Sequence, residues 1–213
     1  MTEEPAATPR GKAAPPVERR RGSHRERLFD AAATVFARDG YGAASAESIA
    51  KAAEMSKKTF YEHFSGKDEL LFELFDLAAW TFIREITGAW TTAPEAQSYE
   101  EHMAMRIRAL LEALDRHREL ALVVFLEMQA AGQEGRERRD ELIANFASAS
   151  YYDNHETAPK YDAPVFCDRD DALVAIYAAI EMALRQIRLG EPDTMLELEP
   201  LLTRLALGTL QTA

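Results

Sequence analysis

Residues 49–70 read IAKAAEMSKKTFYEHFSGKDEL, two short helical patterns that meet at a corner. Ile49, Ala50 and Ala53 share one face of the first, and small residues there allow another helix to approach closely. Ser56 is placed to cap the second, a helix predicted over 56–63. Phe60 and Phe64 lie one helical turn apart and point inward with Ile49. Lys57, Lys58, Thr59, Tyr61 and His63 are left on or near the outer face. Two lysines at a helix N-terminus oppose the helix dipole, and nucleic acid would supply the reason for them. Lysines, hydroxyls and the Thr59 methyl are also groups that read base edges. Two short helices around a tight corner, the second carrying such groups, describe a helix-turn-helix. A solvated lysine pair on an ordinary small helix is the competing reading.

Working outward, Leu28, Ala31, Ala32, Val35 and Phe36 place a first helix before this pair, capped by Ser23 with Glu26 three residues on and closed by Gly40. Ser45, with Ser48 in the first turn, is predicted to cap the next helix, which runs to about Ala53. Gly66 ends the third. A fourth helix starts near Lys67, and Leu70, Leu71, Leu74, Phe75, Ala78 and Phe82 form one stripe along it to about Gly88. Residues 1–22, rich in Pro, Ala and charge, are expected to be disordered. Their cluster Arg19, Arg20 and Arg21, followed by Arg25 and Arg27, reads equally as a minor-groove arm and as a solubilising tail.

Charge separates the chain into unlike parts. Of a net charge of −11, residues 1–67 hold 12 Lys/Arg against 9 Asp/Glu, and the remainder 13 against 27. Only the front is suited to a polyanion. A hydrophobic fraction of 47% over 213 residues supports a substantial core. No apolar run is long enough to span a membrane, and no signal-peptide pattern opens the chain, so a cytoplasmic protein is expected. Cys167 is the only cysteine, which removes any intrachain disulfide and any Cys-based metal site.

Beyond a polar break at 93–98, only helical patterns recur, over 99–117, 118–131, 134–151, 168–189 and 199–210, the last opened by Pro200 after a turn at 194–198. Residues 153–167 are predicted to be a long loop. The fold class is all-α, with about nine helices. The organisation is an arm (1–22), a DNA-binding domain (23–66) and a helical ligand-binding and dimerisation domain (67–213). Phe72, Phe75, Trp80, Phe82, Met103, Ile107, Phe125, Met128, Phe146 and Tyr177 are candidates for a pocket between helices, each readable also as plain core. Arg106 and Arg108 could hold an anionic head group or lie on a solvated face. Leu173, Ile176, Ile180, Leu184, Ile187, Leu202 and Leu205 form stripes suited to a two-fold interface. His155 beside Asp153 and Glu156 is read as exposed rather than as a metal site, because adjacent residues rarely converge on one ion. No catalytic constellation stands out, so no enzyme, metal or cofactor is expected.

Residues 28–74 resemble the DNA-binding region of the TetR family of bacterial repressors, through "DAAATVFARDGY", "SIAKAA", "MSKKTFYEHF" and "KDELL". The resemblance implies that Lys57, Lys58, Thr59 and Tyr61 read bases or backbone and that His63, Lys67 and Ser45 lie near phosphates. It also implies a homodimer on a palindromic operator and release by a small apolar or amphipathic inducer. Two positions depart from the family's pattern. Ala44 replaces a common Thr, and Glu54 replaces a common Gly at the corner, where a left-handed backbone would cost a non-glycine residue about 1 kcal/mol. A carboxylate near DNA adds repulsion unless a lysine such as Lys51, Lys57 or Lys58 answers it. An activator, or a helical ligand- or cofactor-binding protein without an operator, are the alternative functions.

Overall fold

The computed structural model describes residues 17–211, with side chains from residue 24 to residue 210. Three helices form the head: α1 (Val17–Asp39), α2 (Ala46–Ala52) and α3 (Lys57–Tyr61). A 26-residue α4 (Lys67–Thr92) leads from it into the body. There α5 (Tyr99–Arg116), α6 (Arg118–Leu122), α7 (Met128–Ala130), α8 (Gly132–Thr157), α9 (Arg169–Leu189) and α10 (Glu199–Gly208) follow. The all-α class is borne out; β1 (Val165–Phe166) and β2 (Leu210–Gln211) make one two-residue antiparallel pairing. No described helix is long and apolar enough to cross a membrane.

Several boundaries differ from the sequence prediction, each for a physical reason. Helix α1 begins at Val17, so Ser23 lies within it rather than at its N-terminus. No proline follows Pro16 to stop the helix. Residues 17–22 of the expected disordered arm (1–22) are the opening turns of α1, while residues 1–16 and the side chains of Arg19, Arg20 and Arg21 lie outside the described residues. Helix α3 ends at Tyr61, earlier than predicted, and Gly66 is the extended N-cap of α4 rather than the end of α3.

Helix α8 continues through Thr157 where a loop was expected. Buried Asn154 holds it there, donating to Tyr99 Oη at 2.6 Å and accepting from the Phe166 amide at 2.8 Å. One amide thus ties three segments together, and tertiary bonding overrides a weak local pattern. The predicted helix over 118–131 is interrupted by a π-helical turn, Val123–Glu127. Such a turn leaves backbone carbonyls without their usual partners. Phe125 O is satisfied instead by Arg139 Nε at 2.8 Å and Gln129 Nε2 at 3.0 Å. Helix α8 crosses so close here that a Cβ on Gly135 would sit 2.2 Å from Met128 O.

Candidate functional site

The head is built around Phe36, Ile49, Phe60 and Phe64, all essentially buried. Ser45 caps α2, its Oγ accepting from the Ser48 amide at 3.1 Å while Ser48 Oγ accepts from the Ser45 amide at 2.9 Å. Ser56 caps α3 by accepting from the Thr59 amide at 3.0 Å, as its position predicts. Gly40 takes φ +80 and its amide donates to Phe36 O, closing α1. With the two phenylalanines inward, α3 presents Lys57, Lys58 and Tyr61 to solvent, with Thr59 and His63 half-buried beside them. Lys57 lies 3.8 Å from Glu47 on α2, an exposed pair of little energetic weight. The His63 carbonyl accepts from Arg25 at 3.3 Å, and its ring meets that of His24 edge-on at 5.7 Å.

Glu54 stands at the corner with φ +56, in the left-handed region that favours glycine. Its amide donates to Lys51 O at 3.1 Å and the Met55 amide donates to Ala50 O at 2.8 Å. This pair of bonds is a Schellman motif, with Glu54 in the position where glycine is usual. The carboxylate is 89% exposed, and its cationic neighbour is Arg27 of α1, 3.8 Å away, rather than Lys51, Lys57 or Lys58. Arg27 also donates to Ala53 O, which caps the end of α2.

Two candidates for DNA contact have turned inward. Lys67 Nζ donates to Tyr41 O at 2.7 Å and Ala44 O at 3.0 Å and stands 4.2 Å from the Tyr41 ring centroid. It clamps the start of α4 to the loop between α1 and α2. Tyr41 adds a bond from its hydroxyl to Asp68 at 2.6 Å, and burial first, then that bond, push its phenol up to about 12. Arg25 pairs with Glu73 of α4 and stacks over Phe64 at 4.5 Å, so it serves the head–α4 junction rather than an arm.

The head is also tied to the region of the π-helical turn. Glu127, at its end, accepts from the Tyr41 amide at 2.6 Å, and Thr34 of α1 donates to Glu119 of α6 at 2.9 Å.

In the body, a narrow apolar cavity of about 60 Å³ lies between α4, α5, α8, α9 and α10. Ile86 and Trp90 from the far end of α4 meet Met103, Ile107 and Leu110 of α5, with Phe146 of α8. The opposite wall is made by Ala172, Ala175, Ile176, Ala179 and Ile180 of α9 and by Leu202 and Ala206 of α10. Its one charged corner holds Arg106 and Asp153. Arg106 pairs with Asp153, and His102 Nε2 lies 2.9 Å from the same carboxylate. Burial works to raise the Asp153 pKa, but the hydrogen bond with His102 and the charge of Arg106 hold the carboxyl below its ordinary range.

Of the ten pocket candidates, Met103, Ile107 and Phe146 line this cavity. Phe75, Phe125 and Met128 are instead packed in the core, Phe125 with Phe82 at 5.9 Å. Phe82 is core as well. Trp80 is 56% exposed under Arg84, Phe72 lies beneath Arg138, and Tyr177 faces Arg139 and Asp140. Of the residues assigned to a two-fold interface, Ile176, Ile180 and Leu202 wall the cavity and Leu184 is buried in the protomer. The stripe seen in the sequence is the inner face of α9. Leu173 and Ile187 are half-buried and Leu205 is exposed, with Val174 and Leu201 the outward apolar residues not anticipated. Arg108 is bound to Glu199 at 2.7 Å on the surface. His155 is exposed and bonds to Phe166 O at 3.0 Å. Trp90, Asp153 and the alanines of α9 were missed, although Ala172, Ala175 and Ala179 at helical spacing signal a concave wall.

An α-helical head whose third helix presents cations, carried on a helical body with a narrow apolar cavity, defines a helix-turn-helix protein with a separate helical body. Residues 28–74 match the profile of bacterial regulatory proteins of the tetR family. The match covers this N-terminal region alone, and the chain as a whole shares the fold of solved tetR-family regulators. A fatty acid metabolism regulator protein from Bacillus subtilis (strain 168) is 28% identical over 119 residues, 56% of this chain and 60% of that protein. The matching part thus spans about 60% of the curated relative's length. Among solved structures, the fatty acid degradation regulator FadR from Bacillus halodurans superposes with a TM-score of 0.73 at 23% identity, over 89% of this chain and 97% of that one. The transcriptional regulator FadR from Bacillus subtilis, in complex with stearoyl-CoA, gives 0.71 at 21% identity, over 87% and 99%. A tetR-family protein from Rhodococcus RHA1 gives 0.70 at 20%, over 89% and 98%. At these identities the structural likeness shows the fold alone.

Proposed function

We propose that this chain is a cytoplasmic, ligand-responsive transcriptional repressor that binds a palindromic operator as a homodimer and releases it when an apolar-chained small molecule enters the body. The carrying observation is the reach of α4. One end is clamped to the head by Lys67, and the other supplies Ile86 and Trp90 to the cavity. At 1.5 Å per residue, this helix is about 39 Å long. The closed cavity, about 60 Å³, is far smaller than the roughly 150 Å³ that accommodates benzene, so any chain-like ligand must push its walls apart. A ligand that binds only the opened body shifts α4 and with it the head, and operator affinity falls by the ligand's differential affinity.

Lys57, Lys58, Thr59 and Tyr61 are the proposed contacts to bases or backbone, the two lysines to phosphates, with His63 and the Ser45 end of α2 also near phosphates. The apolar walls, and the stearoyl-CoA bound in a protein of the same fold, support a long-chain acyl compound as the ligand. The test is a mobility-shift assay on palindromes from the DNA upstream of the chain's own coding sequence. The expected result is a shift that palmitoyl-CoA reverses. No shift of any duplex at low salt would remove the DNA-binding function.

A further inference from the structure

Trp90 and Arg106 line the apolar cavity and also a second, open groove of about 680 Å³ on the outer side of α5. They are the boundary between the two. The Arg106 guanidinium stacks on the Trp90 ring at 4.3 Å and is held from the other side by Asp153. His102 braces that carboxylate at 2.9 Å, and its Nε2 lies 3.3 Å from Arg106 Nε. The Trp90 indole Nε1 is buried without a hydrogen-bond partner, a costly state for a donor. Beyond the boundary, the groove is lined by His102, Arg108 and Lys160 as well as by Glu95, Glu101 and Glu112.

We propose that Arg106 and Trp90 form the head-group site for an acyl ligand, and that Asp153 is an internal anion occupying it until the ligand's own oxygen-bearing head group takes its place. The inference rests on the function proposed above and adds the chemistry of recognition. An acyl chain in the cavity brings its polar end to this boundary. There a carboxylate or thioester oxygen accepts from Trp90 Nε1 and Arg106, and any larger anionic head continues into the groove. Charge-assisted bonds to a guanidinium are the strong ones in such a half-buried setting. Because Arg106 already has an acceptor in the Asp153 carboxylate, a ligand binds only by putting its own head-group oxygen in that acceptor's place, and the exchange opens the boundary. Neutral apolar compounds of the same length cannot make the exchange. Free fatty acid and acyl-CoA share the required chemistry and differ in what fills the groove.

The test is titration calorimetry of the full chain with palmitate, palmitoyl-CoA and hexadecane-bearing micelles, repeated on four variants whose folding is checked by thermal melting. For whichever of palmitate or palmitoyl-CoA binds more tightly, R106Q is expected to weaken binding at least tenfold and W90F about threefold. R106K is expected to recover part of the loss, and D153N to tighten binding severalfold by removing the competing anion. Preference for palmitate assigns a carboxylate to the site, and preference for palmitoyl-CoA assigns a thioester with its phosphates in the groove. Wild-type affinity in both R106Q and W90F would overturn the head-group site while leaving the acyl function standing, as would binding of hexadecane equal to that of palmitate. Weakening by D153N to the level of R106Q would overturn the exchange. Failure of the wild-type chain to bind either acyl compound would overturn the underlying function itself.

Discussion

Glu54 shows how a single residue can be legible in the sequence as a problem and in the structure as its solution. Its φ of +56 costs an L-residue about 1–2 kcal/mol, yet the Schellman bonds and the Arg27 neighbour hold it in place. Glu54→Gly is expected to raise the melting temperature by a few degrees, since the glycine's greater unfolded-state entropy offsets part of the relieved strain. It should also tighten operator binding by removing a carboxylate from the DNA side; weaker binding would assign the carboxylate a positive role. Lys57 and Lys58 have no such structural duty, being exposed with at most a distant partner. Replacing either by alanine should weaken operator binding across all sequences. The slope of log K against log salt should fall by roughly 2, one phosphate for each of two copies in a homodimer. An unchanged slope would place that lysine off the DNA. These residues were readable because capping, turn chemistry and amphipathicity are local properties. Lys67 and Arg25 were misplaced because their partners, Tyr41 and Glu73, are far away in sequence, and charge alone does not say which way a long side chain turns.

Among the elements, the head and body meet through more than α4. The π-helical turn ends in Glu127, whose carboxylate holds the Tyr41 amide, and α6 reaches α1 through Glu119 and Thr34. Glu127→Ala removes the acceptor for a backbone amide beside Gly40. The expected outcome is a looser head, with operator affinity lowered several-fold and acyl-ligand affinity little changed, measured by fluorescence anisotropy and calorimetry in parallel. Gly135 tests the packing that supports the same turn. A Cβ there meets the Met128 carbonyl at 2.2 Å, so Gly135→Ala must push α7 and α8 apart, at a cost of about 1–3 kcal/mol visible in chemical denaturation. The sequence revealed most helices through their apolar period but not the π turn, whose signal is a pair of side chains, Gln129 and Arg139, reaching one carbonyl. Nor did it distinguish the two faces of α9. Ile180 and Leu184 look like an interface stripe until both are seen to be buried within the protomer.

For the molecule as a whole, the uneven charge, basic in front and acidic behind, suits the proposed approach to DNA by the head alone. The outward apolar residues of α9 and α10, with Val174 56%, Leu201 46% and Leu205 38% exposed, are the surface proposed to pair with a second copy. Val174→Asp combined with Leu205→Asp should give a folded monomer by sedimentation, whereas charges at Ile180 or Leu184 should unfold the protomer itself. A variant that still sediments as a dimer would place the interface elsewhere. The central claim is that cavity and head are two ends of one equilibrium, and coupling of that kind is reciprocal. The direct measurement is the affinity of the chain for palmitoyl-CoA with and without a saturating operator duplex. The duplex should weaken palmitoyl-CoA binding by the same factor by which palmitoyl-CoA weakens operator binding. Equal palmitoyl-CoA affinity in the presence and absence of operator would contradict the coupling through α4.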